Sequence, residues 1–269
     1  MAASFEGLFS IQGKVALVTG GSRGIGEMIA AGFVAQGARV YISSRKAAAC
    51  QATAARLAAD HGGSCTALPA DLSTMAGVEA LAMALAEREP RLDILVNNAG
   101  ASWGAAIDDF PEAGWDKVMD TNVKAVFFLT QKLLPQLRAA AAGPSPARVV
   151  NIGSIDGLKN SMFEAWSYGA SKAAVHHLTR FMAGHLTRER ILCNAIAPGP
   201  YPTWMLSTGV GFGGRTEGVD WDSVGSRNPS GRVGTAQDIA GLATFLCSRA
   251  GEYVVGQVIA SDGGIVASA

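Results

Sequence analysis

Residues 15–26, VALVTGGSRGIG, constrain this chain more than any other stretch. An apolar run over 15–18 ends in Thr19-Gly20, and Gly24, Ile25 and Gly26 follow. Beyond them Met28, Ile29, Ala31, Phe33 and Val34 recur with helical spacing. Strand, glycine turn and helix in that order bring free backbone N–H groups and the positive end of a helix dipole together, and a pyrophosphate can bind there. A side chain at any of these glycines would add a Cβ where a ligand or a tight turn needs room. Ser22 and Arg23 lie inside the turn. The spacing is T-G-x-x-x-G-x-G, not the commoner G-x-G-x-x-G, so alone it also fits a glycine turn with no ligand.

Strand-like runs alternate with helical ones along the rest of the chain. Strands are predicted at 39–43, 65–69, 92–96, 148–152, 192–196 and 257–260, and helices at 47–59, 75–88, within 111–137, at 166–186 and at 236–247. This alternation, with strands that read as continuous apolar runs, predicts an α/β protein: a Rossmann fold with a doubly wound parallel sheet and helices on both faces. No linker interrupts it, so residues 1–269 are expected to form a single domain. At 49% hydrophobic and 16% charged, the chain can fill a large core and has little of the composition of disorder. Its 22 basic residues balance 22 acidic ones, which gives no electrostatic footprint for nucleic acid or an anionic membrane. No apolar stretch is long enough to span a bilayer, and residues 1–14 do not read as a signal peptide. Cys50, Cys65, Cys193 and Cys247 are widely spaced, so a reduced, cytoplasmic protein is expected. His61, His176, His177 and His185 show no metal-ligand spacing, and they read as surface or core histidines.

The chemically distinctive residues fall just after strands: Gly20, Ser44-Arg45, Asp71, 97–100, Ser154 and Pro198-Gly199. In an open parallel sheet, ligands sit outside the carboxyl ends of the strands, so these segments would meet along one edge. NAD-preferring sites end the second strand with an acidic residue that holds the ribose hydroxyls. Here that region is Ser43-Ser44-Arg45-Lys46. Arg45, with Arg23, can fork onto a 2′-phosphate, so NADP(H) is the expected cofactor; the competing reading is solvated surface charge.

Tyr168 and Lys172 are four residues apart on a predicted helix and share a face. A nearby ammonium favours the phenolate, so the pair can give a proton to a forming alkoxide or take one from an alcohol. Ser154 can supply a hydroxyl to hold a carbonyl oxygen. An ordinary amphipathic helix face and a turn serine would look the same in isolation.

Taken together, Thr19-Gly20-x-x-x-Gly24-x-Gly26, Asn97-Asn98-Ala99-Gly100, Asn122, Ser154, Tyr168-Gly-Ala-Ser-Lys172 and Pro198-Gly199 resemble the short-chain dehydrogenase/reductase family from about Gly13 to Gly264. The resemblance implies that Tyr168 is the general acid/base and that Lys172 lowers its pKa and binds the nicotinamide ribose. It implies that Ser154 positions the carbonyl and that Asn122, in the long helix, holds a water for proton relay. Asn97, Asn98, Ala99 and Gly100 would floor the cofactor site, Asp71 and Leu72 would meet the adenine, and Thr203 would lie near the nicotinamide amide. Asp71 also reads as the N-cap of the next helix. Ser154 and Tyr168 are fourteen apart, one more than is common in the family, which implies an extra residue between them. A homotetramer is likewise implied, with the two long helices and positions such as Val126, Phe127 and Leu178 at an interface.

Trp103, Met162, Phe163, Trp166, Tyr201, Trp204, Met205 and Phe212 lie in segments that would cover the nicotinamide. They predict an apolar cleft with a mobile lid over about 201–230, although core or subunit contacts would also use such residues. Within the family, LVTGGSRGIG, the SWGAA of 102–106 and ARVVNIGS are similar to 3-oxoacyl reductases of the rhamnolipid-associated type. The expected activity is therefore NADPH-dependent reduction of a 3-oxoacyl thioester or similar apolar ketone. The alternatives are oxidation of a secondary alcohol, polyol or steroid, and a catalytically silent dinucleotide sensor.

Overall fold

The computed structural model describes residues 5–161, 163–208 and 219–268. Seven parallel strands form one sheet in the order 3-2-1-4-5-6-7. β1 (Val15–Thr19) lies between β2 (Arg39–Ser43) and β4 (Ile94–Asn97), with β3 (Ser64–Ala67) outside β2. On the other side follow β5 (Ala147–Ile152), β6 (Ile191–Pro198) and β7 (Val258–Ser261). The strand order reverses between β1 and β4, which opens a crevice at their carboxyl ends.

Side-chain alternation along the strands divides the core between the two faces. In β1, Ala16 and Val18 join Ile29 and Phe33 of α1 (Gly24–Ala35), Leu57 of α2 (Ala47–His61) and Ile239 of the helix Ala236–Cys247. Val15 and Leu17 face the other way, toward Leu81 of α3 (Met75–Ala86) and Met182 of α7 (Trp166–Leu186). Each such Leu, Ile or Phe contributes about 1.5–3 kcal/mol by leaving water. The parallel sheet with helices on both faces is as the sequence predicts.

The predicted long helix within 111–137 is present, uninterrupted over 112–132, but it is not regular. α4 (Glu112–Met119) passes through a π-helical turn, Asp120–Lys124, into α5 (Ala125–Lys132), and α6 (Leu134–Ala141) follows. Pro135 sits in the first turn of α6, where its missing N–H costs no helical bond. Within the π turn lies buried Asn122.

A buried polar ladder fixes the strand ends against the helices. Asn97 Nδ2 donates to Thr130 Oγ1 (3.1 Å) and Asn151 Oδ1 (2.9 Å), and Asn151 Nδ2 donates to Thr179 Oγ1 (2.9 Å). Asn97 therefore serves the core, which corrects its expected place in the cofactor floor; the strand's alternation turns only its neighbour Asn98 toward the glycine turn. Among the described residues no helix is long and apolar enough to cross a membrane.

Candidate active site

The glycine turn and the segment after β4 are stitched into one unit. Asn98 Nδ2 donates to the carbonyls of Thr19 (2.9 Å) and Gly20 (3.2 Å), and the N–H groups of Asn98 and Ala99 both reach Thr19 Oγ1. Gly20 and Gly24 are left-handed, at φ +64° and +59°, which costs other residues about 1–2 kcal/mol. A Cβ on Gly26 would fall 2.4 Å from Gly20 O. Arg23 occupies the N-cap position of α1 without a side-chain capping bond. The result is a tight turn that leaves no room for a Cβ at Gly20 or Gly26 and ends in a bare helix N-terminus, and it fits a pyrophosphate. Ile25 packs on the core below, and the Ser22 carbonyl accepts from the Thr53 hydroxyl (3.1 Å).

At the end of β2 the hydroxyl of Ser43 is buried without a hydrogen-bond partner, and that of Ser44 is buried beside the Cys50 thiol. Arg45 is exposed beside them. Burial and the charge of Arg45 together lower the pKa of Arg23, so the two cations share one region. Among the described residues neither forms an ion pair with a carboxylate. Two such cations beside buried serine hydroxyls fit a 2′-phosphate. The guanidinium of Arg23 lies 4.1 Å over the ring of Trp204, a cation–π contact that joins the glycine turn to α8 (Trp204–Thr208).

Asp71 accepts from the backbone N–H (3.0 Å) and hydroxyl (2.8 Å) of Ser73. Burial pushes its carboxyl up, but these bonds and the charge of Arg45 outweigh that and hold it below its ordinary value. The cap of α3 is Thr74, not Asp71: Thr74 Oγ1 accepts from Gly77 N (3.1 Å). The Leu72 side chain is buried in the core, which leaves its backbone to meet an adenine.

α7 presents Tyr168 and Lys172 to the ends of β4 and β5. Lys172 is 5% exposed, and its Nζ donates to Ile152 O (2.8 Å) and lies 5.5 Å from the centre of the Tyr168 ring. Burial lowers its pKa to about 8. The side chain of Ser154 acts on the Tyr168 phenol and favours its ionised form, so the two groups stand together and the extra residue between them is absorbed before α7 begins. Burial pushes the phenol up to about 12; Ser154 opposes this and the charge of Asp156 adds to it. In the free protein burial outweighs any lowering by Lys172, contrary to the simple expectation from spacing. The amide of Asn122 is fully engaged: it accepts from Ala101 N (2.8 Å) and donates to Ala101 O and Ser171 Oγ (both 2.9 Å). Its side chain thus clamps the segment after Gly100 to α7, and a relay water at this residue would fall to its backbone carbonyl.

Gly199 packs on Asp262, and its N–H donates to Ser261 O (3.0 Å), which holds the Pro198-Gly199 end of β6 beside β7. Thr203 lies against the glycine turn: a Cβ on Gly24 would come 3.3 Å from Thr203 Cγ2. The expected substrate residues divide. Trp166 and Trp204 are exposed, and Trp166 Nε1 donates to Ala105 O (3.1 Å). Trp103 packs one face on Gly114 of α4, with Lys117 Nζ 5.1 Å from its ring centre. Tyr201 is corrected to a core residue. It is 2% exposed, with its ring against Gly234 and its hydroxyl bonded to Ser261 Oγ (2.6 Å). Met162, and Phe212 with residues 209–218 of the expected lid, lie outside the described residues.

Sequence reasoning read His176 only as a surface or core histidine and passed over Asp156, both beside this centre. His176 continues the four-residue spacing of Tyr168 and Lys172 and is 2% exposed, a signal available in the spacing itself. Asp156 lies in the turn after Ser154, and its N–H donates to Ser154 Oγ (3.2 Å). Burial raises its carboxyl pKa, while bonding to Ser161 and the charge of Lys159 pull the other way.

Comparison with known proteins places this geometry. A family model described as enoyl-(acyl carrier protein) reductase matches residues 20–266. The chain is 50% identical to a rhamnolipids biosynthesis 3-oxoacyl-[acyl-carrier-protein] reductase of Pseudomonas aeruginosa, over 95% of this chain and 97% of that one. It is 36% identical to gluconate 5-dehydrogenase of Gluconobacter oxydans, over 98% and 99%. The solved Pseudomonas aeruginosa RhlG/NADP active-site complex superposes with a TM-score of 0.89 at 48% identity, over 97% of this chain and 100% of that one. With matches that run nearly end to end, the chain belongs to the short-chain dehydrogenase/reductase family.

Proposed function

We propose that this protein is an NADPH-dependent carbonyl reductase acting on a 3-oxoacyl thioester or a similar apolar ketone. The observation that carries the reading is the grouping of Ser154 and Tyr168 with buried Lys172, at the same sheet edge as the glycine turn. NADPH supplies the hydride. Gly20, Gly24, Gly26 and the start of α1 would hold its pyrophosphate, and Arg23, Ser44 and Arg45 its 2′-phosphate. Asp71 and Leu72 would meet the adenine, while Asn98, Ala99, Gly100, Pro198, Gly199 and Thr203 would line the nicotinamide side. Ser154 donates to the substrate carbonyl oxygen, and Tyr168 Oη gives that oxygen its proton. Lys172 then stabilises the phenolate left behind and binds the ribose. The solved relative with NADP and the 3-oxoacyl reductase relative support both cofactor and substrate class.

The likeness to gluconate 5-dehydrogenase keeps polyol or sugar-acid oxidation as the second reading. Asp156 weighs against it, because a carboxylate beside Tyr168 disfavours an anionic substrate. The test is NADPH oxidation with an acetoacetyl thioester beside an NADH control. Turnover at least about tenfold faster with NADPH is expected, as a charge-assisted phosphate contact is worth 1.4 kcal/mol or more. No thioester turnover, together with gluconate oxidation by NADP, would replace the reading with its rival.

The same reading takes the chain as one cytoplasmic domain that assembles as a homotetramer. Trp115, Phe127 and Phe181, on α4, α5 and α7, are 42%, 40% and 62% exposed and offer the apolar surface for it. Val126, by contrast, is buried within the chain and is not available to a partner. Light scattering is expected to give four times the chain mass; a monomer mass rejects the assembly.

A further inference from the structure

We propose that His176 is a positioning residue for carbonyl reduction: its imidazole, wedged between Gly153 and Gly157, locks the turn that carries Ser154 onto α7. The inference rests on the reductase reading and adds to it a residue that touches neither substrate nor cofactor.

Tyr168, Lys172 and His176 follow one another at four-residue intervals on the same face of α7. That face grips the Ser154 segment at both ends. Lys172 Nζ takes the carbonyl of Ile152 at 2.8 Å, and His176 Nδ1 lies 3.3 Å from the carbonyl of Gly157. Between them the N–H of Gly153 donates to Ile196 O of β6 at 2.7 Å. Ser154 sits within this bracket, extended at φ −166° and 7% exposed.

The fit of the ring is close. A Cβ on Gly153 would lie 2.0 Å from His176 Nε2, and one on Gly157 would lie 2.8 Å from its Cε1. The two glycines thus leave a slot, and the imidazole occupies it. A carbonyl can only accept, so Nδ1 carries the proton and the ring is the neutral Nδ1–H tautomer. Burial agrees, pushing the imidazole pKa down to about 4, with the Lys172 charge in the same direction. Nε2 has no partner and faces the backbone of Gly153. An aliphatic side chain of similar size would fill the slot but release Gly157. The turn could then shift, and with it the placing of Ser154 against Tyr168. A displacement of that scale at a reacting group is costly without any change in binding.

The test compares His176→Leu, which keeps bulk and loses the donor, with His176→Asn, which keeps an N–H at the δ position, and His176→Gln, which moves it to the ε position. The leucine and glutamine variants are expected to lose about tenfold or more in kcat, with NADPH affinity and the thioester KM little changed, and the asparagine variant to recover most of the loss. Hydrogen exchange of the cofactor-free proteins supplies a readout independent of turnover. Amides of 153–161 are expected to exchange faster in the leucine variant than in wild type, with the rest of the sheet unchanged. Equal kcat in wild type and His176→Leu, or a loss in all three variants that tracks a general fall in melting temperature, overturns the proposal. If the wild-type protein reduces no carbonyl, the reductase reading fails, and the exchange comparison still decides whether His176 holds the turn.

Discussion

Tyr168→Phe is expected to lower the rate of carbonyl reduction by about 10²- to 10⁴-fold, the usual contribution of a general acid, while NADPH still binds. The variant deletes one oxygen from a half-buried ring and leaves the packing of α7 intact. It removes the proton donor and the group that Ser154 acts on together. The pH dependence follows from the same geometry. Burial holds the phenol up near 12 in the free protein, so Tyr168 is protonated and ready to donate at neutral pH. Donation leaves a phenolate, which needs the ammonium of Lys172 beside it. Burial has brought Lys172 down to about 8. Its charge is present below that pH and lost above it, so the reductive rate is expected to be level on the acid side and to fall as pH rises through about 8. A profile of kcat against pH checks this. A Tyr168→Phe variant that retains a tenth or more of wild-type turnover would remove the tyrosine from its role.

Much of this site could be read in the sequence because its parts obey local rules. β1 and the glycine turn announce themselves by a buried apolar run followed by residues that must lack a Cβ. Tyr168 and Lys172 share a helix face by spacing alone. What escaped was set by contacts between distant segments. Tyr201 looks like a cleft residue among glycines and aromatics; it is a core residue because Gly234, far along the chain, leaves room for its ring. The π turn at 120–124 has no proline or glycine to mark it. Asn97 and Asn98 are indistinguishable as letters, yet the strand turns one into a buried ladder and the other onto the glycine turn. His176 could have been found from its spacing, but the glycines that give its ring a slot are contributed by another segment.

Arg45→Ala is expected to weaken NADPH binding by about 10- to 100-fold, the range for a lost charge-assisted hydrogen bond. NADH binding should change little. The argument rests on what surrounds Arg45. β2 ends in two buried serine hydroxyls and offers no carboxylate to hold a ribose diol. Arg45 is close enough to lower the pKa of Arg23, an unfavourable pairing of like charges that an anion between them would relieve. Arg23 is in turn stacked on Trp204, so its reach is directed toward the start of α8. Because Arg45 is exposed, part of its contribution is screened, and the loss on substitution should shrink as salt is raised. Arg45→Glu goes further: its carboxylate repels the 2′-phosphate and can accept from the ribose hydroxyls, so preference should turn toward NADH. Fluorescence titration with each dinucleotide at two ionic strengths measures all of this. Equal losses for NADPH and NADH would mean that Arg45 is a solvated surface charge, and discrimination would then fall to Arg23 and Ser44 alone.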